Sequence, residues 1–75
     1  MKKISERDFL IFVASIFEVN ESEINLNTEY QSIKAWDSLM QLRLVAELEE
    51  NFVAEIPIDE IPDIQTLNDF YRYIK

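Results

Sequence analysis

One serine hydroxyl occupies the position in this sequence that is best suited to chemistry. Ser38 follows Asp37, and the most strongly patterned helical segment begins there. Asp37 is a good N-cap, because its carboxylate can accept hydrogen bonds from first-turn amides and its charge suits the positive end of the helix dipole. Ser38 would then lie on the first turn with an exposed hydroxyl. Since helix N-terminal amides lack intrahelical partners, a phosphate on Ser38 would meet a favourable local field, although Asp37 opposes it.

Amino-acid composition excludes the commonest catalytic mechanisms. The 75-residue chain contains no histidine and no cysteine, so serine-histidine catalysis, cysteine-histidine catalysis and disulfides are excluded. Any catalysis would fall to carboxylates, and no pair of them is marked out by an apolar setting. The Asp-x-Asp-x-Asp-Gly pattern of a calcium loop is absent, so the sequence predicts no metal site. We therefore expect a protein that is not an enzyme.

Net charge indicates the class of partner. The chain has 7 basic and 15 acidic residues and a formal net charge of −8, which argues against binding to nucleic acid or to anionic membranes. The acidity either steers the protein toward basic protein surfaces or only confers solubility, and composition does not separate the two. No apolar run approaches the roughly 20 residues that span a bilayer, and the N-terminus does not resemble a signal peptide. We expect a cytoplasmic monomer without membrane insertion.

The elements that must position Ser38 follow from apolar periodicity, which predicts one helical domain over residues 1–75. Ser5 is predicted to cap the first helix with Asp8 in the capping-box position, and Asn20 is predicted to end it in a left-handed conformation. Ile11 should project from the side opposite the core. The predicted core stripe of this helix consists of Phe9, Leu10, Val13, Ile16 and Phe17.

A long ordered loop is predicted over residues 21–36, with a functional role or an extra helical turn to account for its length. Trp36 ends the loop, and we interpret it as a half-buried anchor that fixes the entry into the next helix rather than as a ligand-stacking residue. The side chains predicted to hold the loop across the helices are Ile24, Leu26, Tyr30 and Ile33.

The second helix is predicted from Ser38 to Asn51. Its predicted core side consists of Leu42, Val45, Ala46, Leu48 and Phe52, with Leu44 near the edge. A strip on the outer face consists of Leu39, Met40, Arg43, Glu47 and Glu50. We interpret this strip as a docking surface. The alternative is that its apolar members fold back onto the loop while Arg43 and Glu47 form only a surface ion pair.

Acidic residues crowd the C-terminal end of this helix, where the dipole favours cations by about 0.3 to 1 kcal/mol each. Glu47, Glu49 and Glu50 therefore destabilise the helix end with no local interaction to compensate, which favours an acidic patch for a basic partner surface over the alternative of a Mg²⁺ or Ca²⁺ site. The patch would continue through Glu55, Asp59, Glu60 and Asp63.

The rest of the chain predicts a brief helical turn and a last helix. The turn lies within residues 56–64 and should be anchored by Ile58 and Ile61. Thr66 should cap the last helix with Asp69 in the capping-box position. The core stripe predicted to continue to the C-terminus consists of Leu67, Phe70, Tyr71 and Ile74.

Together these motifs resemble acyl carrier proteins. Asp37, Ser38 and Leu39 open a helix that includes Leu-Val-Ala-Glu-Leu-Glu-Glu-Asn-Phe, a Thr-Leu-x-Asp-Phe helix ends the chain, and the resemblance covers nearly all of it. It implies an all-α bundle of three principal helices plus one short helix, with the long loop between helices 1 and 2. It also implies that a separate, Mg²⁺-dependent phosphopantetheinyl transferase joins 4′-phosphopantetheine from coenzyme A to Ser38, next to Asp37 and Leu39.

The resemblance further implies a carrier in biosynthesis. The thiol of the arm would hold an acyl or aminoacyl group as a thioester between an activating ligase and downstream transferase or synthase enzymes. Those partners would contact the strip of Leu39, Met40, Arg43, Glu47 and Glu50. The alternative is an unmodified carrier-like module that docks on a basic protein surface.

Departures from the general fatty acid carriers bear on subtype. Those carriers typically have a glycine shortly before Asp-Ser-Leu and acids where this chain has Met40 and Arg43. Trp36 directly before Asp37 looks more like D-alanyl carriers and freestanding carriers of specialised pathways, including aminoacyl ones.

Overall fold

Helices form the framework of the protein. The structure, a computed structural model, describes residues 4–52 and 54–74. Its three α-helices are α1 (Glu6–Phe17), α2 (Ser38–Asn51) and α3 (Leu67–Tyr71), and two 3₁₀ helices lie at Glu21–Glu23 and Ile58–Asp63. The predicted all-α class and the bounds of the second helix are confirmed. The long loop contains an extra helical turn at Glu21–Glu23, which was one of the two explanations given for its length.

The first helix begins as predicted and ends earlier. The Asp8 amide donates to Ser5 Oγ at 3.1 Å, which confirms Ser5 as the N-cap. The left-handed residue is Glu18, with φ 61° and ψ 44°, so the prediction for Asn20 is wrong. Asn20 is extended because its amide donates to Glu23 Oε2 at 2.9 Å and thereby starts the first 3₁₀ helix.

The face that α2 turns to the core differs from the predicted one. Gln41, Leu44, Val45 and Leu48 are buried at i, i+3, i+4 and i+7, and Leu44 is completely buried rather than near the edge. Leu42 is 56% exposed and Ala46 is also exposed, so both were assigned wrongly. The buried face is rotated because the polar Gln41 finds hydrogen-bond partners inside and can occupy a core position.

The first and last helices contribute most of the side chains that were predicted for them. In α1, Phe9, Val13, Ile16 and Phe17 are buried while Leu10 is half-buried, and Ile11 is exposed on the far side. Thr66 caps α3 in a capping box with Asp69, as predicted. The helix nevertheless ends at Tyr71, because the amides of Tyr73 and Ile74 bond to carbonyls three residues back, at Phe70 and Tyr71. Ile74 is buried beyond its end.

The long loop is held across the helices as predicted. Ile24 is buried, and the partly buried side chains of Leu26, Tyr30 and Ile33 pack against the core. The backbone of the loop also pairs with the start of α3, since the Tyr30 amide donates to Gln65 O at 2.7 Å. No helix in the described part of the chain has the length and apolar character needed to cross a membrane.

Candidate functional site

The N-terminus of α2 has the cap that the sequence predicts. Asp37 Oδ1 accepts a hydrogen bond from the Met40 amide at 2.8 Å, and the Asp37 carbonyl accepts one from the Gln41 amide at 2.9 Å. The amides of Ser38 and Leu39 have no acceptor within residues 4–52 and 54–74. Two backbone donors therefore remain at the corner where Ser38 is exposed.

The hydroxyl of Ser38 is also without a protein partner in the described residues. Ser15 Oγ donates to the Phe12 carbonyl and Ser32 Oγ to the Glu29 carbonyl, at 2.7 and 2.6 Å, while Ser5 Oγ is used in its cap. Ser22, in the first 3₁₀ helix, resembles Ser38 in being exposed and unbonded there. Only Ser38 of these two lies at the start of an α-helix longer than two turns.

Trp36 fixes the approach of the chain to Ser38 from inside the protein. Its side chain is completely buried, deeper than the predicted half-buried anchor, and leaves no exposed ring face on which a ligand could stack. The ring centroids of Phe17, Tyr30 and Phe70 lie 5.7, 5.8 and 6.2 Å from that of Trp36. These ring contacts hold the end of the loop against the core, two positions before Ser38.

Gln41 is a residue of this site that the sequence pattern did not reveal. Its Oε1 accepts a hydrogen bond from Trp36 Nε1 at 2.7 Å, and its Nε2 donates to the Ile61 carbonyl at 3.3 Å. It therefore joins the loop, α2 and the second 3₁₀ helix one turn after Ser38. The signal available in the sequence was its spacing of three, four and seven residues from Leu44, Val45 and Leu48.

Two grooves flank Ser38. The outer groove, about 540 Å³, is lined by Lys34, Ala35, Asp37, Leu39, Met40, Leu42 and Arg43. The inner groove, about 250 Å³, is lined by Tyr30, Ser38, Gln41, Leu42, Ile61, Pro62 and Ile64. Leu42, which is 56% exposed, borders both grooves, so a large apolar side chain lies open to both of them near Ser38.

The predicted docking strip is only partly brought together. Leu39 is 76% exposed and does not fold back onto the loop, whereas Met40 is half-buried against the core. Both residues line the outer groove with Arg43. Arg43 Nε and Glu47 Oε2 form the ion pair expected under the alternative interpretation, at 3.8 Å. Glu47 and Glu50 lie farther along α2, outside the lining of that groove.

The acids at the end of α2 have structural roles that the sequence did not indicate. Glu49 Oε2 accepts a hydrogen bond from the Ile56 amide at 3.0 Å, and Glu47 Oε1 accepts one from Asn51 Nδ2 at 3.3 Å. The inference that these acids bring no local gain is therefore wrong for both residues. The prediction that Ile58 anchors this segment is also wrong, because Ile58 is 82% exposed. The buried Ile56 holds the chain here instead.

These features fit a phosphodiester at the start of α2. An exposed hydroxyl and two unpaired amides at a helix N-terminus suit a covalently attached phosphate. Within residues 4–52 and 54–74, no three carboxylates are grouped so that they could hold a metal ion.

Comparison with known proteins agrees with this geometry. Residues 8–74 match the family described as phosphopantetheine attachment site. An acyl carrier protein of Lactobacillus acidophilus is 38% identical over 63 residues, which are 84% of this chain and 79% of that protein. The chain belongs to the acyl carrier protein family. It is therefore a carrier that holds 4′-phosphopantetheine covalently, and carriers of this family work with synthase and transferase enzymes.

The chain is also similar to a second separate carrier protein and to a segment of a large synthase. An acyl carrier protein of Wolinella succinogenes is 36% identical over 84% of this chain and 83% of its own length. A segment of 3-methylorcinaldehyde synthase from Talaromyces stipitatus is 30% identical over 79% of this chain, which corresponds to 2% of that synthase. Similar sequences thus occur both as small separate proteins and within a large synthase.

Proposed function

We propose that Ser38 is the residue to which 4′-phosphopantetheine is attached. The observation that supports this most strongly is the exposed, unbonded Ser38 hydroxyl beside the unpaired amides of Ser38 and Leu39. The family match from residue 8 to residue 74 includes this position. The group supplies, when bound, the thiol that a cysteine-free chain lacks.

The residues around Ser38 have distinct roles in this proposal. Asp37 fixes the first turn of α2 through the Met40 amide, so that Ser38 is exposed at the start of the helix and open to a transferase. The amides of Ser38 and Leu39 stabilise the charge of the phosphodiester, which offsets the repulsion from the Asp37 carboxylate. The buried Trp36 keeps this corner fixed on the bundle.

We propose that the chain catalyses nothing itself and presents acyl or aminoacyl cargo to separate enzymes. Tethering the cargo raises its effective concentration at a docked enzyme, so each contact can be weak and brief. The partners in this proposal are a phosphopantetheinyl transferase, an activating ligase and a downstream transferase or synthase. Trp36, Met40 and Arg43 favour a specialised, D-alanyl or aminoacyl subtype, in the cytoplasmic location expected from the sequence.

The partner surface in this proposal is divided along α2. Near Ser38 the exposed Leu39 and the half-buried Met40 lie between Lys34 and Arg43 in the lining of the outer groove. Lys34 has no ion pair within the described residues. Partners would make apolar contacts at this end, close to the arm.

The other end of the proposed surface is acidic. Glu47 and Glu50 lie toward the C-terminal end of α2, and basic residues of a partner would meet them there. Charge reversal at Glu50 should slow loading by the transferase more strongly at low salt than at high salt, because exposed charges are screened.

The attachment is tested by intact-mass spectrometry. The protein is incubated with coenzyme A, Mg²⁺ and a broad-specificity phosphopantetheinyl transferase. One added phosphopantetheine is expected. No added mass on protein shown to be folded would contradict the proposal and leave an unmodified docking module.

A further inference from the structure

The inner groove beside Ser38 ends at two hydrogen bonds. Trp36 Nε1 donates to Gln41 Oε1 at 2.7 Å, and Gln41 Nε2 donates to the Ile61 carbonyl at 3.3 Å. Gln41 is 6% exposed, and both it and Ile61 line the groove. The groove is therefore closed toward the interior by a polar side chain that is bonded on both sides.

The space behind Gln41 is filled. The completely buried indole of Trp36 lies there, with the rings of Phe17 and Phe70 at 5.7 and 6.2 Å from it. An apolar chain that entered the bundle through the inner groove would have to separate Gln41 from Trp36 and Ile61. Those buried polar groups would then lose their partners, which opposes the gain from burying the chain.

The groove itself has room only for a small group. Its volume of about 250 Å³ lies below the roughly 300 to 1,000 Å³ of pockets that enclose drug-sized ligands. Its lining by Tyr30, Leu42 and Pro62 offers apolar contact near the base of an arm attached at Ser38.

We propose that Gln41 is a specificity-determining residue that closes the bundle to long acyl chains. Short acyl or aminoacyl groups fit the inner groove, whereas longer chains stay outside the protein. The inference rests on attachment at Ser38, as proposed above.

The test uses a series of loaded carriers. The transferase attaches acetyl-, butyryl-, octanoyl- and dodecanoyl-phosphopantetheine from the corresponding coenzyme A thioesters, and intact mass confirms each product. The thermal midpoint and the rate of thioester cleavage by hydroxylamine are then measured. From butyryl to dodecanoyl we expect no progressive rise in the midpoint. We also expect the dodecanoyl thioester to be cleaved at a rate similar to that of the butyryl thioester. A dodecanoyl rate more than about a hundredfold below the butyryl rate would show burial of the added methylenes and overturn the proposal.

Gln41→Ala supplies the second arm of the test, and the exposed Gln65→Ala is its matched control. Removal of the Gln41 side chain should open the inner end of the groove. The cleavage rate should then fall with acyl chain length in Gln41→Ala but not in Gln65→Ala. If Gln41→Ala does not fold, Gln41→Met replaces it, since Met keeps the volume that folding needs while its flexible side chain, without the two hydrogen bonds, can be displaced by an acyl chain. A variant as insensitive to chain length as the parent would overturn the role of Gln41. Failure to load any acyl group would instead contradict attachment at Ser38, and this inference with it.

Discussion

Asp37 Oδ1 accepts a hydrogen bond from the Met40 amide at 2.8 Å, and this bond fixes the residue at which α2 begins. Because α2 begins at Ser38, the serine hydroxyl lies on the first turn of the helix rather than in the preceding loop. The position of the proposed attachment residue therefore depends on a cap formed by its immediate neighbour.

Asp37→Ala should lower the free energy of unfolding by about 1 kcal/mol, because the Met40 amide loses its acceptor. Urea unfolding followed by circular dichroism measures the change. Asp37→Asn is the matched control, since its amide oxygen can accept the same hydrogen bond, and it should lose much less. Equal losses in the two variants would show that the cap does not stabilise the start of α2.

Trp36→Phe should destabilise the protein by about 1 to 3 kcal/mol, because Gln41 Oε1 would be left buried without its donor. Chemical unfolding followed by circular dichroism is suitable, as the variant lacks the tryptophan fluorophore. Leu39→Ala, at a residue 76% exposed, should change stability by less than about 0.5 kcal/mol. A Trp36→Phe protein as stable as the parent would contradict the role assigned to this hydrogen bond.

Replacement of two neighbouring acids at the end of α2 should change stability differently. Glu49→Ala should cost about 1 kcal/mol, because the Ile56 amide loses the Glu49 carboxylate. Glu50→Ala should be neutral or stabilising by up to about 1 kcal/mol, since it removes an exposed negative charge from the negative end of the helix dipole. Paired urea unfolding curves compare the two variants. Destabilisation by Glu50→Ala equal to that by Glu49→Ala would contradict this distinction.

Tyr73 should titrate above its ordinary pKa of 10.0. Its hydroxyl donates to Glu60 Oε1, and this hydrogen bond raises the pKa of Tyr73. Because the pKa is higher in the folded than in the unfolded protein, the stabilisation is complete below pH 10 and is lost as pH rises through the folded pKa.

Ultraviolet absorbance of tyrosinate measures that titration, with Tyr73→Phe subtracted to remove the other tyrosines. Glu60→Ala should lower the pKa of Tyr73 toward 10.0. Asp59→Ala, at the adjacent acid, should leave the midpoint in place. A Tyr73 midpoint that Glu60→Ala does not move would show that the hydrogen bond is not the cause.

Local signals in the sequence were sufficient for the helix starts. Ser5, Asp37 and Thr66 all cap the helices that were predicted for them, because an N-cap involves residues only three positions apart. The bounds of α2 were predictable for the same reason, and with them the place of Ser38.

Errors arose where distant partners decide the structure. The buried Gln41 is hydrogen-bonded to Trp36 and to the carbonyl of Ile61, which is 20 residues away. Apolar periodicity contains no information about these hydrogen-bond partners. Glu49 likewise meets the Ile56 amide only after the chain has turned back beyond α2. The spacing of Gln41 from Leu44, Val45 and Leu48 could have indicated the buried face of α2, but the partners that hold Gln41 there, and with them the two grooves beside Ser38, could not be predicted.

The most direct test of the account is to locate the added group on the chain. The loaded protein is digested, and tandem mass spectrometry identifies the modified peptide and residue. Ser38→Ala is treated in parallel with Ser22→Ala, which removes the other exposed serine hydroxyl without a described partner. We predict phosphopantetheine on Ser38 in the parent and in Ser22→Ala, and none in folded Ser38→Ala. Phosphopantetheine on any other residue, or loading of Ser38→Ala equal to that of the parent, would contradict the assignment of Ser38.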